Sequence, residues 1–252
     1  MLMTILAGYS TNYYGHGYGV GGYGLYFDKT YFLVLIGVII SLMASAKVKS
    51  TFSRYAKVAS RSGYTGAQVA EKLLRANGIN DVVVARVAGN LTDHYDPRRK
   101  VLSLSDSVYA STSVAAIAVA AHEVGHCIQH DRAYAPLTLR TALVPVVNFG
   151  SSLSWILIMA GIILGGVPSL LNLGIIMFSL AVLFQIVTLP VEFNASKRAL
   201  VCLESNGILY NEELKSGKKV LSAAALTYVA AALSSILQLL RLILLFGRRS
   251  DD

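Results

Sequence analysis

Three residues in the run Ala121-His122-Glu123-Val124-Gly125-His126-Cys127 have the types and spacing of a metal-dependent hydrolytic site. Two histidines four residues apart on a helix lie one turn apart on one face, so the imidazoles of His122 and His126 can converge on a single Zn²⁺. Glu123 projects toward the side where a metal-bound water sits. A carboxylate there can take that water's proton as it attacks a carbonyl. In a chain of 252 residues with 5 histidines, this pattern is expected by chance only about 0.002 times.

A catalytic zinc has three protein ligands and an open position, and the motif supplies two. His130 follows on the same helix, but a rise of about 1.5 Å per residue puts it about 12 Å from His122. It could join only through a chain reversal after His126, and Cys127-Ile128-Gln129 contains no glycine to make one. His94, in Leu91-Thr92-Asp93-His94-Tyr95-Asp96-Pro97, reads as a turn histidine that is exposed, contacts substrate or supports a ligand from behind. Glu192 is the strongest candidate, for reasons that come from the elements around it.

With 54% hydrophobic and 14% charged residues and a mean hydropathy of +0.56, the composition is that of a membrane protein. Residues 144–164, 170–189 and 223–246 are apolar runs of about the length that crosses a bilayer in a helix. A fourth run, 31–46, is shorter, but Leu25, Tyr26 and Phe27 extend it with residues suited to the interface. The second and third runs are separated only by Gly165-Gly166-Val167-Pro168, which predicts a tight hairpin. A two-span hairpin returns the chain to the face it left, so Glu192 emerges on the same side as His126. Beyond it, Ser196 and Ala199 share its helical face and are small enough for another helix to approach closely.

The net charge of +8 is no sign of nucleic-acid binding, because the basic residues sort by topology and form no patch interleaved with aromatics. Residues 47–140 hold 13 of the 22 Lys and Arg, and residues 197–219 hold 5 more. By the positive-inside rule both segments face the cytoplasm, although Arg248 and Arg249 oppose that orientation. Cys127 and Cys202 offer neither a disulfide framework nor a CxxC zinc site, and Cys127 reads as small apolar filler. Residues 1–8 lack a basic start and a long apolar core, so no cleavable signal peptide is expected and the first span stays as an anchor. His16 lies in a Gly and Tyr-rich stretch read as a flexible tail.

Between the first two spans, residues 65–79 have helical apolar spacing, a capping Thr65 and an Asn77-Gly78 stop. Residues 81–87 and 100–105 read as strands with a turn at Asp96-Pro97. The zinc helix is expected over 113–131, and its apolar run is too short to cross a membrane.

These segments together carry a family resemblance. The zinc helix, the Leu91-to-Pro97 turn, Leu189-Pro190-Val191-Glu192-Phe193-Asn194-Ala195-Ser196 and Ala223-Ala224-Ala225-Leu226-Thr227-Tyr228 resemble the YugP-type bacterial membrane zinc metallopeptidases over roughly residues 26–246. More distantly the chain is similar to the HtpX and CAAX-prenyl membrane proteases, whose third ligand is a glutamate in an E-x-x-x-D pattern after a transmembrane hairpin. Here Ser196 stands in place of that aspartate, so whatever orients a ligand from there is built differently.

The resemblance implies a predominantly α-helical integral membrane protein with about four transmembrane helices and a small α+β, zincin-like soluble portion carrying the zinc helix. The expected organisation is a tail at 1–25, a first span at 26–46, a cytoplasmic catalytic portion at 47–141 and a transmembrane hairpin at 142–190. A cytoplasmic helical segment with the third ligand follows at 191–222, then a last span at 223–246 and a tail at 247–252. The implied function is a bacterial membrane-anchored zinc endopeptidase, gluzincin-like, with one Zn²⁺ per chain on His122, His126 and Glu192 and Glu123 as general base.

Its partners are a protein or peptide substrate and the lipid bilayer. Arg198, His94 and Tyr109 are candidates to contact substrate or stabilise the oxyanion. Residues 101–105 read either as an edge strand that pairs with an extended substrate or as an ordinary core strand. The competing reading, a zinc-stabilised membrane scaffold, leaves Glu123 without a purpose, since structural zinc needs no general base. Intramembrane proteolysis would want the zinc helix inside an apolar span, and an ion channel is disfavoured because Arg241 would repel cations.

Overall fold

The computed structural model describes residues 28–247. The tail with His16, the residues that extend the first span, and Arg248 and Arg249 lie outside that range. In chain order the elements are α1 (Tyr31–Tyr55), α2 (Gly66–Ala76), β1 (Val83–Val87), β2 (His94–Asp96), β3 (Val101–Ser105), α3 (Asp106–Tyr109), α4 (Val114–Asp131), α5 (Ala135–Ile163), α6 (Pro168–Ser205) and α7 (Asn211–Phe246).

Four of these helices, α1, α5, α6 and α7, are long and apolar enough to cross a membrane. Their large apolar side chains face outward, with Phe32 and Phe149 each 70% exposed. A surface of that kind is stable in hydrocarbon and not in water. The predicted hairpin forms between α5 and α6. Gly165 and Gly166 turn it with φ of +88° and +86°, a region open to glycine at little cost. Inside it the buried Ser154 hydroxyl donates to the Gly174 carbonyl at 2.9 Å, and a Cβ on Gly174 would meet Ile158 at 2.6 Å. Small residues let these two helices touch.

The helices outrun the spans read from hydropathy. α6 continues through Pro190 to Ser205 and α7 begins at Asn211, so residues 191–222 are the polar ends of two long helices joined by a turn. Hydropathy marks where the apolar stretch stops, whereas the helix continues while its buried face still has a partner. That face in α6 is Thr188, Val191, Glu192, Ala195, Ala199 and Leu203, spaced at helical intervals.

The remaining elements pack around α4. Ser113 caps it by accepting from the Ala116 N–H at 3.2 Å. α2 starts with a capping box between Thr65 and Gln68, which satisfies two orphan backbone donors. From Val114 to Gln129 nearly every α4 residue is buried, and many are alanine. A helix packed against α2, α3, α6 and α7 has little solvent-facing surface over its first half, and small side chains there let several neighbours approach.

The sheet has the order β1-β3-β2, with β1 parallel and β2 antiparallel to β3. Residues 101–105 therefore form the central strand, buried at Leu102 and Leu104, and are not available to an added strand. This corrects the edge-strand reading. β2 holds that edge, and its three residues beside Pro97 are too few to give an alternation readable in sequence.

Candidate metal centre

α4 sets His122 and His126 one turn apart, with ring centroids 4.8 Å from each other. α6 crosses α4 at Gly125, where a Cβ would come within 2.5 Å of the Ala195 carbonyl oxygen. No larger residue fits that crossing without moving a backbone, and Ala195 is itself fully buried. Because Glu192 lies one turn before Ala195 on α6, the close crossing delivers its carboxylate to the two imidazoles.

Glu192 Oε2 lies 3.3 Å from His122 Nε2 and 3.6 Å from His126 Nε2. One donor atom from each of the three side chains falls within 4.8 Å of the other two. Ligands at about 2.0–2.1 Å on a tetrahedral zinc stand about 3.3 Å apart, so the spacing suits such an ion. The carboxylate is 2% exposed, yet its Oε2 has no hydrogen-bond partner. Three donors thus face one another at short range with a buried lone pair left over. Burying a carboxylate costs several kcal/mol unless it is paired; without an ion it is offset only by protonated imidazoles and by Arg140, 3.7 Å from Oε1, and a cation in that space would offset it directly.

The charges are tuned accordingly. Burial acts to raise the Glu192 pKa, but the two imidazoles reverse this and hold it far below the usual carboxylate range. Burial likewise opposes protonation of His126, and the Glu192 carboxylate with the nearby Glu123 overcomes it, so the net shift is upward.

The two imidazoles are oriented from behind. Gln129 is fully buried, and its Nε2 donates to the Val191 carbonyl at 2.7 Å and to Asn194 Oδ1 at 3.1 Å. That fixes the amide, so Gln129 Oε1 must accept from His126 Nδ1 at 3.0 Å. The His126 tautomer with a free Nε2 follows. Asn194 Oδ1 is held in turn by Arg198 Nε at 2.7 Å. On His122 the Ser196 hydroxyl lies 3.1 Å from Nδ1; when it accepts from that nitrogen, Nε2 is left free.

A cavity of about 460 Å³ opens beside the cluster, lined among others by Glu123, His126, Glu192, His94, Arg140 and Tyr228. His122 completes the donor cluster without lining the cavity. Arg140 on α5 places Nη1 3.7 Å from Glu192 Oε1. Asp93 accepts from the Ser105 N–H at 2.8 Å, tying down the start of β2, so that His94, read from sequence as a turn residue, stands on a strand beside the cavity. His130 also lines the cavity, 3.4 Å from the Tyr95 hydroxyl, but is no part of the donor cluster.

Of the other sequence candidates, Arg198 is engaged with Asn194 and lies over the Tyr134 ring. Tyr109 packs against the hydrophobic core. Neither lines the cavity. Cys127 is core filler, its thiol pushed well up by burial.

Sequence reasoning did not single out Gln129, Asn194, Arg140 or Tyr228. Two signals were available: a glutamine three residues after His126 in an otherwise apolar helix, and a lone arginine at the mouth of a span.

Two histidines on one helix and a glutamate from a later one could together hold a metal ion, in a chain with four membrane-length helices. The chain belongs to the family described as "Putative neutral zinc metallopeptidase", whose model matches residues 30–247. It is 51% identical over 221 residues to the "Putative membrane protease YugP" of Bacillus subtilis (strain 168), an alignment covering 88% of this chain and 98% of that protein. No solved structure matches the chain.

Proposed function

We propose that this chain is a multi-pass membrane endopeptidase of the bacterial cell membrane, with its site on the cytoplasmic side. In this reading His122, His126 and Glu192 hold one Zn²⁺, and Glu123 is the general base. The observation that carries it is the buried, partnerless Glu192 Oε2 set 3.3 and 3.6 Å from two imidazole nitrogens beside a cavity that Glu123 also lines. Zinc bound there would supply a water of lowered pKa and polarise the scissile carbonyl. Glu123 takes the water's proton and returns it to the leaving amine. Gln129 and Ser196 keep the ligand rings in register while this happens.

Arg140 and Tyr228 line the same cavity and are the donors best placed to meet negative charge developing on the carbonyl oxygen. His94 enters from the opposite element, β2, whose free edge can hold an extended substrate by main-chain hydrogen bonds. The basic segments on either side of the hairpin support the cytoplasmic orientation.

The test is Glu123→Gln. The variant is expected to bind zinc like the wild type and to lose cleavage of an unfolded protein substrate. Wild-type protein whose bound zinc has four protein ligands and no open position would overturn the reading in favour of a scaffold.

A further inference from the structure

A second cavity, of about 600 Å³, lies between α1 and α7 and shares no lining residue with the first. Lys47 and Arg54 of α1 and Lys215, Lys218 and Lys219 of α7 line it, and no carboxylate does. Lys215 is paired with Glu212 at 2.6 Å. The other four have no carboxylate within ion-pair distance among the described residues. All five are exposed, so water screens their mutual repulsion, and together they present a concentration of positive charge that complements an anion.

Its position is equally specific. α1 and α7 run antiparallel, since the Ser234 hydroxyl donates to the Gly37 carbonyl at 2.9 Å in mid-span while residues 47–55 face 215–226 across the cavity. Lys47 follows directly on the apolar run of α1, and Lys219 directly precedes that of α7. The cations therefore ring the level at which hydrocarbon gives way to headgroups. On the hydrocarbon side of Lys219, Ala223 and Leu226 of α7 give the cavity an apolar wall, while Tyr55 closes its far end.

We infer that this cavity binds the phosphate headgroup of an anionic phospholipid, with acyl chains lying against exposed apolar side chains such as Leu42, Met43 and Leu226 on the outer faces of α1 and α7. Basic rim, apolar wall and interfacial depth match such a molecule in charge, polarity and location together. A free inorganic phosphate would satisfy only the first. The site is independent of the peptidase reading, because none of its residues enters the zinc centre.

The test uses the full chain in nanodiscs of phosphatidylcholine, with or without phosphatidylglycerol, reading the thermal unfolding midpoint. Phosphatidylglycerol is expected to raise the wild-type midpoint by about 5 °C or more, as a ligand that binds only the folded state does. Lys47→Gln/Arg54→Gln/Lys218→Gln/Lys219→Gln is expected to lose that rise. Arg61→Gln/Arg75→Gln/Arg99→Gln/Arg132→Gln, which removes the same charge from exposed positions elsewhere, is expected to keep it.

Should the first variant fail to fold in phosphatidylcholine, Lys47→Gln/Lys219→Gln makes the same comparison. Three outcomes overturn the inference. These are no rise in the wild type, an equal loss in both charge variants, or the same rise from inorganic phosphate added to phosphatidylcholine discs. The last would assign the cavity to free phosphate.

Discussion

The Ser196 hydroxyl, four residues after Glu192 on α6, sits 3.1 Å from Nδ1 of His122. A hydroxyl is a weaker acceptor than a carboxylate, so it orients the ring while adding less to its basicity. Ser196→Ala is expected to weaken zinc binding about 10- to 100-fold in competition with a chelator. Ser196→Asp is expected to bind zinc at least as tightly as the wild type. Equal affinities in all three proteins would show that the hydroxyl does not orient His122.

Gly125 offers a sharper test of how the site is assembled. A methyl group there would sit 2.5 Å from the Ala195 carbonyl oxygen, so α4 and α6 must separate and carry Glu192 away from the imidazoles. Gly125→Ala is expected to lower the unfolding midpoint and to reduce zinc affinity by tenfold or more. Ala120→Gly, which alters the same helix away from the crossing, should cost about 1 kcal/mol through helix propensity and leave zinc affinity unchanged. If Gly125→Ala binds zinc normally, the close crossing is not what delivers Glu192.

These two residues show what could be read from the sequence and what could not. The motif helix was legible because its spacing and its Ser113 cap are local, and the hairpin because a Gly-Gly-Val-Pro break between apolar runs has few other readings. Glu192 was legible through topology, since an even number of spans returns the chain to one face. The crossing at Gly125 and Ala195 was not, because two small residues 70 positions apart announce no contact. Gln129 was hidden for a similar reason: its partners, Val191 and Asn194, lie on another helix. The β2 edge escaped because three residues carry no period.

The zinc-free protein should have its own pH signature. The Glu192 pKa is depressed from its ordinary 4.5, so its contribution to stability is present above that value and is lost as pH falls through the lowered one. The His126 pKa is raised from its ordinary 6.5, so its contribution is present below 6.5 and is lost as pH rises through the raised one. The two overlap between pH 4.5 and 6.5, where the pair should stabilise the chelator-treated protein most. Zinc requires neutral imidazole, so its apparent affinity should fall as His126 protonates. Unfolding midpoints against pH, with chelator and with zinc, should therefore diverge in sign on the alkaline side. Parallel curves would argue that the ion does not displace the His126 proton.

Arg140 can act in two ways that kinetics separate. Its Nη1 lies 3.7 Å from Glu192 Oε1, and it also lines the cavity with Glu123. If it meets the carbonyl oxygen of the substrate, Arg140→Ala should lower kcat about 10²- to 10³-fold, the range seen when one oxyanion donor is removed, with zinc affinity little changed. Arg140→Lys, which keeps the charge and loses the planar fork, should recover only part of that rate. If it serves Glu192 instead, zinc affinity should fall in step with activity in Arg140→Ala, and saturating zinc should restore turnover. Measuring kcat at saturating zinc therefore decides between a group that touches the reacting carbonyl and one that only steadies a ligand.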